Sequence, residues 1–141
     1  MAMLAARTAR PEKRVLIVDD DAAIVRVLRD ALGVFRHEHA YKVETAGDGA
    51  EGLAVLKRDQ FDLVLLDMNM PRMSGLELLA EMCRLGIQTP VLMLTGNEDN
   101  RTAADALAGG ILAYIPKPFE LQHLELLVSL AASPRTTTAA A

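Results

Sequence analysis

The chain of 141 residues contains no tryptophan, one cysteine and only 4% aromatic residues. Each shortage excludes something. The single thiol, Cys83, rules out an internal disulfide and leaves too few sulfurs for a cysteine-built zinc site. It falls inside a helical pattern and is expected to be a buried or half-buried, inert thiol. With so few aromatics, any core must be packed from Leu, Val, Ile, Ala and Met, within an apolar share of 51%. Basic residues never run longer than two and the net charge is −4, which argues against a dedicated nucleic-acid binder. No apolar run approaches the roughly 18 residues needed to span a bilayer. The start, "MAMLAARTAR", lacks the apolar stretch of a secretory signal. One cytoplasmic domain of ordinary size, with no membrane contact, is the expectation.

What is present alternates. Residues 1–12 and 133–141 ("SPRTTTAAA") lack periodicity and read as disordered tails around one unit at 13–132. "RVLIV" (14–18) is a strand-like apolar run. In "AAIVRVLRDALGVF" (22–35), Ile24, Val27, Leu28, Ala31, Leu32 and Phe35 fall at helical spacing. "YKVETA" (41–46) alternates with one wetter face, as an edge strand does. "GAEGLAVLKRD" (49–59) is helical, with Asp48 and Glu51 spaced as a capping box. "FDLVLL" is the third strand. "SGLELLAEMCRLG" is a helix with Ser74 and Glu77 as a capping pair and Gly86 as its stop. "TPVLMLT", "EDNRTAADALAGG", "ILAYI" and "FELQHLELLVSLAA" complete five strand–helix repeats. Strands alternating with helices imply an α/β, doubly wound parallel sheet with helices on both faces. The unbroken apolar runs at 15–18, 63–66 and 91–94 fit strands buried on both faces.

In such a sheet, ligands bind outside the carboxyl ends of the strands. The first strand ends in Asp19, Asp20 and Asp21, the third in Asp67 and the fourth in Thr95. Lys117 comes just after the fifth. Parallel pairing gathers them at one edge. Four crowded acids repel one another and call for a cation. All-oxygen ligands on an open crevice suit Mg²⁺ with retained waters better than a Ca²⁺ cage. A lysine and a hydroxyl beside that cluster suit a phosphoryl group, whose oxygens need donors and positive charge.

The segments "VLIVDDD", "LVLLDMNMPRMSG", "VLMLTG" and "AYIPKPF" together resemble the receiver domain of two-component response regulators, of the chemotaxis-regulator-like kind. The resemblance runs from about Arg14 to Ala131. It implies a flavodoxin-like (βα)5 fold with strand order 2-1-3-4-5, and a phosphoacceptor that catalyses only its own phosphorylation and dephosphorylation. Asp67 matches the phosphoacceptor, which takes a phosphoryl group from a sensor histidine kinase or phosphotransfer protein. Asp19 and Asp20 match the acid pair for Mg²⁺, with Asp67 and the Asn69 backbone carbonyl as further ligands. Thr95 and Lys117 match the residues that grip the transferred phosphoryl oxygens. Tyr114 matches the aromatic that swings inward as Thr95 moves, and would carry the signal to a target protein. That target would bind the face made by the fourth predicted helix, fifth strand and fifth helix. Asn69 and Asn97 match positions that tune dephosphorylation. The Lys117–Pro118 bond is usually cis in the family.

Simpler assignments stand beside these. Asp19 and Asp20 could cap the first helix, although one acid suffices and Asp21 is the better placed for it. Thr95 could be an ordinary strand-end hydroxyl and Tyr114 a core aromatic. Met70 and Met73 read as packing residues, whereas Met68 is not dictated by the pattern and is open to exposure. His37, His39 and His123 carry no ligand spacing, and the first two read as solvated. Ile111-Leu112-Ala113 stands where receivers often carry acids, so exposure of Leu112 or Ala113 would leave an apolar patch beside the signalling face. A magnesium-dependent phosphohydrolase would want a second Asp where Asn69 stands. A flavin carrier would meet three repelling acids after its first strand. A phosphorylation-independent docking receiver, or a fragment of a larger regulator with its own output domain, remains as an alternative to a stand-alone switch.

Overall fold

The computed structural model describes residues 11–96 and 111–132. They form a five-stranded sheet in the order β2-β1-β3-β4-β5, parallel throughout. The strands are β1 (Glu12–Val18), β2 (Ala40–Ala46), β3 (Leu63–Asp67), β4 (Val91–Thr95) and β5 (Ile111–Pro116). The helices are α1 (Ala22–Val34), α2 (Gly49–Arg58), α3 (Gly75–Leu85) and α4 (Leu121–Ala132). The helix expected in "EDNRTAADALAGG" and both tails at 1–10 and 133–141 lie outside the described residues. Among the described residues, no helix is long and apolar enough to cross a membrane.

The central strands show why unbroken apolar runs mean burial on both sides. Alternate side chains of a strand point to opposite faces. Val15, Ile17, Leu63, Leu65, Leu92 and Leu94 pack under α1 and α4, against Leu28, Leu32, Leu124 and Val128. Leu16, Val18, Val64, Leu66, Val91 and Met93 face the other way, onto Val55, Leu56, Leu78, Leu79 and Met82 of α2 and α3. Each such side chain, fully buried, stabilises the fold by roughly 1.5–3 kcal/mol against an exposed reference. β2 has the wetter pattern and takes the edge, as its sequence alternation indicates.

The helix starts follow their caps. The Asp21 carboxylate accepts from the N–H groups of Ala23 and Ile24 at 2.9 and 3.4 Å, and so is the α1 cap. Ser74 and Glu77 form a full capping box on α3, which Gly86 ends at φ 72°. At α2 the box is only half as expected. Asp48 accepts from Glu51 N–H, but the Glu51 carboxylate turns back to Gly47 N–H rather than to Asp48.

Several expectations change. β1 begins at Glu12, because Ala40 N–H donates to the Pro11 carbonyl and prolongs the ladder into the segment read as a tail. Val27 is 45% exposed, since the buried stripe of α1 runs through Leu28, Ala31 and Leu32. Cys83 is exposed, not buried: α3 turns Gly75, Leu78, Leu79 and Met82 inward, and Cys83 falls outside that stripe. His37 is not solvated. It stacks on Phe35 with ring centroids 5.2 Å apart, bonds the Tyr41 hydroxyl, and brings Nε2 to 3.5 Å from Glu125. His39 is half-buried and His123 exposed.

Candidate functional site

The ladder registers assemble the site one step at a time. Val18 pairs with Leu66, so Asp19 and Asp67 leave β1 and β3 side by side. Asp67 pairs with Leu94, which puts Thr95 one residue further along β4. Thr95 in turn pairs with Pro116, and Lys117 follows at the end of β5. Three backbone bonds tie these ends together: Asp19 N–H to Ala46 O at 3.1 Å, Met68 N–H to Leu94 O at 3.0 Å, and Lys117 N–H to Thr95 O at 2.7 Å. Parallel pairing therefore converts positions far apart in sequence into one edge.

At that edge, ligand oxygens of Asp19, Asp20 and Asp67 all lie within 4.8 Å of one another. Asp19 and Asp67 are buried and Asp20 is exposed. Lys117 Nζ donates to Asp67 Oδ1 at 2.9 Å and reaches Asp19 Oδ2 at 3.4 Å. Thr95 is buried, and its hydroxyl points to the Met68 sulfur at 3.9 Å. Met68, for which exposure was open, is 1% exposed: it alternates inward after Asp67 and fills the space under Thr95. Asn69 is exposed, and its N–H lies 3.4 Å from Asp67 Oδ1. Tyr114 is half-buried against the α2–α3 side of the core. Asn97 lies outside the described residues. The Lys117–Pro118 peptide is cis.

The electrostatics show a site short of positive charge. Burial pushes the Asp19 carboxyl above its ordinary value; the Asp21 N–H bond opposes this, the Asp67 charge adds to it, and Lys117 draws it back. Burial also works against the Lys117 ammonium. Its bond to Asp67 and the charges of Asp67 and Asp19 outweigh that burial, so its pKa lies above the usual lysine value. Three carboxylates against one ammonium leave a net negative pocket built of oxygens, without imidazole or thiolate. That donor set fits a hard divalent cation such as Mg²⁺.

The loop from Met68 to Ser74 is shaped by close approaches. Gly75 N–H donates to the Met68 carbonyl at 2.9 Å. A Cβ at Gly75 would collide with the Asp67 carbonyl oxygen and come within 2.8 Å of Met68 Cα. Met70 and Met73 pack against the core, as expected of them.

A family model described as the response regulator receiver domain matches residues 15–129. The chain belongs to the response-regulator receiver family. Response regulator MprA of Mycolicibacterium vanbaalenii is 39% identical over 125 residues, which are 89% of this chain and 52% of that protein. MprA of Mycobacterium leprae is 39% identical over 124 residues, 88% of this chain and 52% of its own length. The chain thus spans about half the length of these relatives. Among solved structures, a CheY-like receiver protein from Methanospirillum hungatei superposes with a TM-score of 0.75 at 34% identity, covering 85% of this chain and 93% of its own. TrrA from Thermotoga maritima, solved in complex with Mg²⁺-BeF, superposes with a TM-score of 0.74 at 30% identity, covering 84% and 98%. The flavodoxin-like fold and strand order expected of a receiver are those observed.

A pairing beside the site was not legible in the sequence. Arg72 Nη2 lies 2.6 Å from Asp48 Oδ2, joining the β3–α3 loop to the start of α2. Asp48 was legible as a cap, but nothing in its spacing of 24 residues from Arg72 links the two.

Proposed function

We propose that this receiver accepts a phosphoryl group on Asp67 from the phosphohistidine of a sensor kinase or phosphotransfer protein, and thereby switches its binding to a target protein. The observation that carries this is the juxtaposition of the Asp67 carboxylate with the carboxylates of Asp19 and Asp20 and with the Lys117 ammonium. Asp19, Asp20, Asp67 and the Asn69 carbonyl would hold Mg²⁺. When bound, the ion orients the phosphoryl oxygens and offsets the charge that builds up during transfer.

The chain's own residues do the rest. A carboxylate oxygen of Asp67 attacks phosphorus; the new O–P bond forms as the N–P bond to the donor imidazole breaks, and the imidazole leaves with that electron pair. β3, buried on both faces, holds the nucleophile rigid. Lys117, already on Asp67, supplies positive charge to the incoming oxygens, and the Thr95 hydroxyl turns from the Met68 sulfur to donate to them. As Thr95 moves, Tyr114 follows inward. Added charge of about −1.5 to −2 biases such a two-state surface. Asn69 and Asn97 tune how water reaches the acyl phosphate. The receiver catalyses only these reactions on itself and acts in the cytoplasm. Its target side is the face of β5 and α4, on which Leu112, Leu121, Leu126 and Leu130 stand exposed. The fourth predicted helix, which the receiver resemblance adds to this face, lies outside the described residues. In this reading the receiver unit at 13–132 works through protein contacts on that face rather than through nucleic acid or membrane.

The test is beryllofluoride, a phosphoryl mimic, followed by ¹⁹F and ¹H–¹⁵N NMR with Mg²⁺ present. A bound fluoride signal is expected, with shifts at Thr95 and Tyr114; Asp67→Asn abolishes both. A bound signal that persists in Asp67→Asn would refute the assignment.

A further inference from the structure

Between the acid cluster and α2 stands a contact that none of the phosphoryl chemistry uses. The carboxylate of Asp48, buried at 5% exposure, is divided between two tasks. Oδ1 accepts from Glu51 N–H at 2.8 Å and caps α2. Oδ2 receives Arg72 Nη2 at 2.6 Å from across the β3–α3 loop. One residue further along each segment, Gly49 N–H donates to the Met73 carbonyl at 3.1 Å. Contact here is so close that a Cβ on Gly49 would strike that same carbonyl oxygen and come within 2.8 Å of Met73 Cβ.

The backbone supplies a separate observation. Arg72 is the one non-glycine residue with positive φ among the described residues, at 66°. L side chains adopt this left-handed conformation rarely, and it persists where surrounding contacts over-determine it. Here those contacts are the Asp48–Arg72 ion pair and the Gly49–Met73 bond. The loop is thus closed at its base by Gly75 N–H on Met68 O and pinned near its far end against α2. Asn69 lies between the two fastenings.

Asp48 has a further connection. It follows β2 by two residues, and the last residue of β2, Ala46, accepts the Asp19 backbone N–H. The same short segment therefore touches the first acid-bearing strand end and fastens the loop of the third.

We infer that Arg72 and Asp48 form a latch that positions the Asn69 backbone carbonyl and Asp67 for the divalent cation. Both are positioning residues, and the inference rests on the phosphoacceptor assignment above. Partners in the shell outside metal ligands typically contribute 10- to 100-fold in metal affinity. The Arg72 side chain is 77% exposed, which places its effect at the lower end.

The test is a Mg²⁺ titration of the full chain by ¹H–¹⁵N NMR, with melting temperature recorded for every variant. Asp48→Asn keeps a good helix cap, since Asn caps as well as Asp, while it removes the charged end of the latch. Arg72→Ala and Asp48→Asn are each expected to weaken Mg²⁺ binding by about tenfold. The double variant is expected to be no weaker than either single one, because each removes the same interaction. Arg72→Lys, which retains charge but loses the planar fork, should recover part of the loss. Unchanged Mg²⁺ affinity in Arg72→Ala, or losses that add in the double variant, would overturn the latch while leaving Asp67 as phosphoacceptor. If the native chain itself binds no Mg²⁺ at Asp67, both the latch and the phosphoacceptor assignment fall.

Discussion

Lys117 Nζ donates to Asp67 Oδ1 at 2.9 Å across the gap between the ends of β5 and β3. The pair joins residues 50 apart in sequence and puts the ammonium on the carboxylate proposed to become the acyl phosphate. The bond is charge-assisted and partly shielded from water, so the positive charge is fixed before any phosphoryl group arrives.

Replacing Lys117 with Met keeps much of the stem's bulk and removes the charge. Acyl phosphate formation on Asp67 should slow on the order of 10²-fold, as when one preorganised donor is lost from a site of developing negative charge. Time courses with acetyl phosphate, stopped in acid and read by intact mass, give the rate. A rate equal to that of the native chain would remove Lys117 from the proposed chemistry.

Two glycines separate close packing from simple helix propensity. Gly75→Ala drives a methyl into the Asp67 carbonyl, and should destabilise the chain by about 1–3 kcal/mol. Gly33 lies near the end of α1, exposed, with nothing within 4 Å of its would-be Cβ. Gly33→Ala should therefore stabilise by about 0.5–1 kcal/mol. Urea unfolding of both variants checks the signs; equal effects would contradict the packing assigned to the β3–α3 junction.

Asp48 predicts a pH dependence. Its folded pKa is held below the ordinary value of 3.8, first by the Glu51 N–H bond and then by Arg72. Between the lowered folded value and the unfolded one near 3.8, the unfolded chain binds more protons. Asp48 thus contributes stability that is fully present above pH about 4 and is lost as pH falls through the folded value. Compared with the native chain, Asp48→Asn should lose less stability on acidification across that window. Paired denaturant unfolding at several acidic pH values measures the difference. Parallel pH profiles would contradict the depressed Asp48 pKa.

The carboxyl-end cluster was legible in the sequence because parallel pairing leaves little freedom. Once "RVLIV", "FDLVLL" and "TPVLMLT" are strands in one parallel sheet, Asp19, Asp67 and Thr95 have to meet at one edge. The cap at Asp21 and the box at Ser74 and Glu77 were legible for a related reason, since they are set by contacts within four residues. What escaped depended on contacts with no local pattern. Met68 is buried because β3 continues its alternation one residue past Asp67. Cys83 is exposed because the inward stripe of α3 is narrow, and Val27 because α1 is apolar beyond the face it buries. His37 is held by Phe35, Tyr41 and Glu125, the last on a different element. The Arg72–Asp48 pair likewise exists only once the β3–α3 loop and α2 are brought together.

The central claim is covalent, and intact mass tests it most directly. The native chain is incubated with Mg²⁺ and acetyl phosphate, quenched in acid, and weighed beside Asp67→Asn. A single phosphoryl adduct, stable in acid and lost in base, is expected on the native chain and absent from the variant. No adduct on the native chain, or the same adduct on Asp67→Asn, would contradict Asp67 as the phosphoacceptor.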